Sequence, residues 1–64
     1  MREEFPFKRG QYIQHVSGTG DRFIIRLVDE LAFEAYAENI DGGRGTRVIN
    51  PGNWKLIPEP EEVA

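Results

Sequence analysis

The chain contains one histidine, His15, followed at short spacing by the hydroxyl residues Ser17 and Thr19. A histidine can act as a general base near neutral pH, and serine is a common nucleophile for such a base to activate. The intervening Gly18 and the following Gly20 instead give this stretch the composition of a turn. We therefore interpret His15 as a strand residue without a catalytic role, and we predict that the chain is not an enzyme.

Other polar segments match no phosphate-binding or metal-binding pattern. The sequence GTGD at 18–21 lacks the lysine and the following helix of a phosphate-binding loop. The carboxylates of Asp29, Glu30 and Asp41 lack the spacing of calcium ligands. With no cysteine and a single histidine, the chain has no thiolate or multi-histidine zinc site. We expect no metal and no cofactor.

Arginines are the residues best suited to contact phosphate, and four of them lie between positions 22 and 47: Arg22, Arg26, Arg44 and Arg47. The same region contains three carboxylates that could pair with them: Glu34, Glu38 and Asp41. We expect ion pairs within the chain, each contributing about 0–1 kcal/mol when exposed. Three of the eleven acidic residues lie after Ile57, and the other eight balance the eight basic residues, so residues 1–57 carry no net charge. Nucleic-acid modules usually carry a basic excess, and this chain does not.

The length of 64 residues limits the chain to one small domain whose core must be built from apolar side chains alone. We divide it into an N-terminal arm (1–9), a compact domain (10–57) and an acidic, proline-interrupted tail (58–64) that we expect to be disordered. Phe5 and Phe7 flank Pro6, which favours an extended path, and the two rings could pack on the domain. No stretch is long and apolar enough for a membrane span or a signal peptide, so we expect a cytoplasmic protein.

Five short strands are predicted inside the compact domain: 11–16, 22–29, 32–39, a segment around 46–49, and 54–57. The third is ambiguous, because a helix at about 30–40 would also align apolar residues, which gives the alternative of an α+β fold. Antiparallel pairing favours the strand, since facing residues then match in kind. The inner pairs are Phe23 with Ala37, Ile25 with Ala35, and Leu27 with Phe33. The outer pairs are Arg22 with Glu38, Ile24 with Tyr36, and Arg26 with Glu34.

A two-residue turn at Gly42–Gly43 would then place the next strand beside the third, with Tyr36 facing Ile49 and Glu38 facing Arg47. The predicted outer face carries an apolar row (Ile24, Tyr36, Ile49) next to an ionic row (Arg22, Glu38, Arg47). The predicted core contains Phe23, Ile25, Leu27 and Val48. Asn50–Asn53 is predicted to form a tight turn or one 3₁₀ turn.

Residues 8–57 resemble the SH3-like small barrels, a superfamily that includes KOW and Tudor-type modules. The resemblance rests on KRGQYIQHV, on GTGDRFIIRLV and on VINPGNWKLI, which give a first strand, a glycine turn before a long second strand, and a turn before a short closing strand. It implies an all-β, five-stranded barrel. The resemblance identifies no binding site, because the aromatic motifs of SH3 domains have no counterpart here and nothing in the sequence brings together the aromatic residues available for a Tudor cage, Tyr12, Tyr36 and Trp54.

The apolar row with its flanking charges is the best candidate for a functional surface, because aligned exposed apolar residues often mark contacts. We predict a small binding or adaptor module that contacts a protein partner, or a second copy, through Ile24, Tyr36, Ile49, Arg22 and Arg47. Two alternatives give the row no binding role: the Phe5–Phe7 arm covers it, or the row is simply exposed to solvent. An enzyme site formed only between identical chains is a third possibility.

Two further interpretations remain open. A nucleic-acid-associated accessory module would use Arg22, Arg44, Arg47 and Lys55. Trp54 and Arg44 are secondary contact candidates for any partner. Trp54, the only tryptophan, either seals one end of the core or anchors a partner. We favour the seal, because so small a chain can spare few large apolar side chains from its core.

Overall fold

A computed structural model describes residues 4–61, which form one strongly curled antiparallel sheet, a half-barrel. Its strands are β1 (Tyr12–His15), β2 (Arg22–Asp29), β3 (Glu34–Asn39), β4 (Thr46–Val48) and β5 (Trp54–Ile57). They lie in the order β4-β3-β2-β1-β5. The all-β, five-stranded prediction is confirmed, and the helix at 30–40 is wrong because β3 occupies that segment. Residues 1–3 of the arm and 62–64 of the tail lie outside the described part.

The concave face of the sheet forms the core. Each of the first four strands contributes small or β-branched side chains to it, and these are almost fully buried: Ile13, Ile25, Ala35, Ala37 and Val48. The two alanines on β3 leave room above the centre of the sheet, which larger side chains must fill for the interior to reach its usual packing density.

The N-terminal arm supplies those larger side chains. Phe5 and Phe7 are each only 5% exposed and belong to the same buried cluster as the sheet residues. The Phe5 ring meets the rings of Phe7 and Phe33 edge to face, with centroids 5.9 and 5.2 Å apart, a favourable aromatic geometry. The arm therefore closes part of the half-barrel, and it does not cover the apolar row predicted on the outer face.

A β-bulge at Arg26 divides β2. Before it, Phe23, Ile24 and Ile25 pair with Asn39, Glu38 and Ala37. After it, Leu27, Val28 and Asp29 pair with Tyr36, Ala35 and Glu34. Compared with these pairs, the predicted register is wrong by two residues in the first half of β2. In the second half the predicted side-chain faces are also reversed, because the extra residue of the bulge turns each following side chain to the opposite face of the sheet.

Leu27, predicted as core, is consequently 56% exposed, which corrects the core assignment. Val28 takes its place against the buried cluster. Ile25 and Val48 are buried as predicted, and Phe23 is partly buried against the same cluster. The bulge follows the point at which β2 has no further partner on the β1 side. The last backbone hydrogen bonds on that side join Ile25 to Gly10 and Gln11, each at 2.8 Å.

Between β3 and β4 the predicted two-residue turn is replaced by a longer loop, residues 40–45. The pairs are Ala35 with Val48, Tyr36 with Arg47 and Ala37 with Thr46, again two residues from the predicted register. Gly42 has a positive φ of 96°, as glycine-based turns require. Gly45 passes so close to β3 that a β-carbon there would lie 2.7 Å from the Ala37 carbonyl oxygen.

The predicted turn before the last strand is confirmed as a 3₁₀ turn, Pro51–Asn53. The Trp54 N–H closes it by donating to the Pro51 carbonyl. The Asn53 carbonyl accepts the Val16 N–H at 2.9 Å, which extends the pairing of β5 with β1.

Candidate functional site

Three side chains form a cross-strand row on the outer face of the sheet. Leu27 on β2 faces Tyr36 on β3, and Tyr36 in turn faces Arg47 on β4. Glu34 lies two residues before Tyr36 on β3 and therefore on the same face. We call Leu27, Glu34, Tyr36 and Arg47 the Tyr36 cluster. The bulge at Arg26 assembles it, because Leu27 would otherwise point into the core.

The polar side chains of the Tyr36 cluster are joined by hydrogen bonds. The Tyr36 hydroxyl donates to Glu34 Oε2 at 2.8 Å, and Arg47 contacts both Glu34 oxygens at 3.3 Å. The Arg47 guanidinium carbon lies 5.6 Å from the centroid of the Tyr36 ring, within cation–π range. The hydrogen bond to Glu34 is the main reason that the pKa values of both Tyr36 and Arg47 are raised. Tyr36 stays a neutral donor and Arg47 stays charged across the physiological pH range.

The apolar row predicted on this face is not formed as a row. Ile24 is partly buried and faces Glu38 and Tyr12. Ile49 follows β4 directly and is 67% exposed. Tyr36 is at the predicted place but has Leu27 and Arg47 as its neighbours. Whether these residues bind a partner stays a prediction.

The ionic row is likewise replaced by separate ion pairs. Arg22 binds Asp41 at 2.6 Å, Arg26 binds Glu38 at 2.7 Å, and Arg47 binds Glu34 at 3.3 Å. The expectation that arginines pair within the chain is thus confirmed for these three, with all three expected carboxylates. The Arg22 side chain and backbone N–H both donate to Asp41, which lowers the pKa of that carboxyl from 3.8 to about 2.

Of the cations proposed to contact nucleic acid, Arg22 and Arg47 therefore have carboxylate partners. Arg44, in the exposed loop between β3 and β4, and Lys55 on β5 make no ion pair within residues 4–61. Two separated free cations form a much smaller basic surface than the four that the sequence suggested.

Trp54 lies at the start of β5 and is partly buried against the core cluster. Its ring packs edge to face on Phe23 at 5.4 Å and on His15 at 6.0 Å. The contact with Phe23 supports the interpretation of Trp54 as a seal at one end of the core, although the seal is incomplete because part of the ring remains exposed.

His15, Ser17 and Thr19 do come together, as a chain of hydrogen bonds. His15 Nδ1 lies 2.8 Å from Ser17 Oγ and accepts the Ser17 backbone N–H at 3.1 Å. Thr19 Oγ1 lies 2.8 Å from Ser17 Oγ. All three residues are exposed, and no carboxylate within residues 4–61 contacts the imidazole ring. The arrangement holds the β1–β2 turn, and the non-catalytic role of His15 stays a prediction.

Two parts of this surface were missed from sequence. Leu27 was assigned to the core, and Glu34 was expected to pair with Arg26 instead of holding Tyr36 and Arg47. Alternation alone gives no sign of either, because the exposure of Leu27 follows from the bulge and the contact of Glu34 with Arg47 follows from the β3–β4 register. Within the described residues no group of three or more His, Asp or Glu side chains is placed to hold a metal ion. No helix in that part of the chain is both long and apolar enough to cross a bilayer.

Comparison of the chain with protein-family models, with curated proteins and with solved structures finds no match. The functional assignment therefore depends on the geometry of the chain's own residues.

Proposed function

We propose that this chain is a small binding module that contacts another protein through the outer face of its sheet, centred on the Tyr36 cluster and the adjoining Ile49. The observation that carries the proposal is the presentation of Tyr36. Tyr36 is 38% exposed, its hydroxyl donates a hydrogen bond to Glu34, and Arg47 lies over one side of its ring. A side chain held in this way loses little conformational entropy when it is buried by a partner.

The composition of the surface supports the same proposal. Tyrosine and arginine are among the residues enriched at the energetic centres of protein interfaces. Leu27 and Ile49 add apolar area, being 56% and 67% exposed. The Arg47–Glu34 pair gives the surface polar groups without net charge, so a partner need not be strongly charged. An adaptor that binds through one convex face fits these features.

The finer parts of the proposal are the SH3-like character of the barrel and its cytosolic location. Five short antiparallel strands and a 3₁₀ turn before the last strand support the likeness to SH3-like barrels. The absence of cysteine is in keeping with a reducing compartment. Nucleic-acid binding is the weaker alternative, because Arg22 and Arg47 already have carboxylate partners.

Selection from a random peptide library displayed on phage tests the proposal even though the partner is unidentified. We expect the protein to enrich peptides whose binding perturbs the backbone amide resonances of Tyr36, Arg47 and Ile49. Tyr36→Ser should weaken the binding of such peptides by about 2 kcal/mol or more, the range of an interface hot spot.

Leu56→Ser is the matched control, because Leu56 is 50% exposed but lies on β5, away from β3 and β4. It should leave peptide binding unchanged. Enriched peptides whose resonance changes map to other residues, or binding that survives Tyr36→Ser, would contradict the proposal.

A further inference from the structure

A pocket of about 290 Å³ opens beside the place where the N-terminal arm crosses the end of β2. Its apolar lining comes from Phe5 and Phe7 of the arm and from Leu27 and Val28 of β2. Cavities of roughly 150 Å³ lined by such side chains hold a benzene ring, so this pocket has room for one large aliphatic side chain.

An exposed leucine stands next to the pocket. Leu31, at the tip of the β2–β3 turn, is 86% exposed, the largest value among the exposed large apolar residues of the described chain. It follows Glu30, which lines the pocket rim. A knob and a hole therefore lie side by side on one surface.

The turn that carries Leu31 is fixed rather than loose. Asp29 Oδ1 accepts the Ala32 N–H at 3.1 Å, and the Glu30 carbonyl accepts the Phe33 N–H at 3.3 Å. Phe33 has a positive φ of 55°, which is strained for a bulky residue. Its ring is held by packing against Phe5. This geometry directs Phe33 towards the core while Leu31 remains in solvent.

The rim of the pocket carries charges of both signs. Glu4 and Glu30 contribute carboxylates, and Lys8 and Arg9 contribute cations. None of the four forms an ion pair within residues 4–61, whereas the three arginines on the sheet all do. A patch that carries unpaired charges of both signs around an apolar pocket has the groups that a self-complementary surface needs.

From this juxtaposition we infer that the patch is a site for a second copy of the chain, in which Leu31 of each protomer inserts into the pocket of the other. A two-fold interface requires one surface to be its own complement, so that each residue of a contact occurs on both sides. The exposed Leu31 beside the pocket meets this requirement in shape, because each copy then offers one projecting side chain and one pocket. The rim meets it in charge, because Glu30 of one copy then faces Lys8 and Arg9 of the other, which guides association and fixes its register.

The site shares only Leu27 with the Tyr36 cluster. Leu27 is therefore left unchanged in the test. Sedimentation equilibrium of the full chain, from roughly 10 µM to 1 mM to cover weak interfaces, should show a monomer–dimer equilibrium. Leu31→Ser should raise the dissociation constant about tenfold or more, because it removes one large apolar side chain from each half of the interface.

Leu56→Ser provides the matched control, since it removes the same side chain from an exposed site on β5. It should leave the dimer unchanged, and circular dichroism should show that both variants fold. A protein that remains monomeric throughout, or equal effects of Leu31→Ser and Leu56→Ser, would overturn the inference.

A charge exchange tests the register. Glu30→Lys alone and Lys8→Glu with Arg9→Glu should each abolish the homodimer, because like charges then face each other at both ends. Mixing the two variants should restore a heterodimer, since every facing pair is again of opposite sign. Adding Leu31→Ser to both should remove that heterodimer. A heterodimer that persists without Leu31 would show non-specific attraction of charges and would also overturn the inference.

Discussion

The two halves of β2 are folded into the domain in different ways. The half before the bulge, residues 22–25, lies between β1 and β3, and Phe23 packs against Trp54. The half after the bulge, residues 27–29, keeps β3 as its neighbour but has passed the last backbone bonds to the β1 side at Gly10 and Gln11. Its inner side chain, Val28, packs against the cluster that the arm completes with Phe5 and Phe7.

The difference shows what an apolar run cannot specify by itself. RFIIRLVD is apolar on both sides of Arg26, and either Leu27 or Val28 could face inward. A strand flanked on both sides is held in one register by two ladders, whereas a strand that loses one neighbour is free to bulge and twist. Here the bulge places the smaller Val28 beneath the arm and moves Leu27 to the outer face.

The largest expected effect concerns the arm. Phe5→Ala should cost about 3–5 kcal/mol in the free energy of unfolding, because it leaves a cavity between Phe7 and Phe33. Chemical denaturation followed by circular dichroism would measure it. Lys8→Ala, an exposed neighbour in the same segment, should stay within about 0.5 kcal/mol. A similarly small loss for Phe5→Ala would mean that the second half of β2 needs no cover from the arm.

A second pair of variants measures the bulge directly. Ile25→Ala should cost about 2–5 kcal/mol, since its side chain is fully buried. Leu27→Ala, two residues later, should cost less than about 1 kcal/mol, because only the minor, buried part of its apolar area is lost. The same denaturation experiment applies. Equal losses for the two variants would place both side chains in the core and exclude the bulge.

Replacing Trp54 tests how much its ring stabilises the first half of β2. Trp54→Ala should cost about 2 kcal/mol, roughly half of the full-burial value, because the ring is partly exposed. Tryptophan fluorescence of the native protein should be quenched by iodide more than that of a buried ring and less than that of the unfolded chain. Quenching equal to that of the unfolded chain would rule out the seal and favour Trp54 as a partner contact.

The smallest effect concerns the ion pair at the start of β2. The Asp41 pKa is lowered to about 2 in the folded protein, so the stabilisation is complete above its ordinary value of 3.8 and is lost as the pH falls towards 2. Wild type should therefore be more stable than Asp41→Asn at pH 6, and the difference should shrink at pH 2. A difference that does not change with pH would show that the carboxylate charge contributes nothing.

Much of the fold could be predicted because its signals are local. The strand segments, the glycine turn between β1 and β2 and the 3₁₀ turn at Pro51 follow from residue types within a few positions. The set of carboxylates that pair with the arginines could also be predicted, since all three lie on the neighbouring strand and loop, but each individual pair differs from the predicted one.

The pairing registers and the Tyr36 cluster could not be predicted, because they depend on contacts distant in sequence. Matching side chains in kind gave registers two residues away from those observed before the bulge and between β3 and β4, since a two-residue shift keeps every side chain on its face. The place of Phe5 in the core depends on Phe33, 28 positions later. Nothing near Phe5 in the sequence distinguishes a ring that caps a core from one on a free arm.

The hydrogen bond that closes the 3₁₀ turn also limits how the sheet edge at β5 can pair with another strand. Since the Asn53 carbonyl points towards β1, the backbone groups of the alternate residues Trp54, Leu56 and Pro58 point away from it, along the open side of β5. The Trp54 N–H is used by Pro51, and Pro58 has no N–H. Leu56 thus has the one free amide of these three residues. An exposed strand that presents a single donor is a poor template for another strand, which protects this edge of the half-barrel from aggregation.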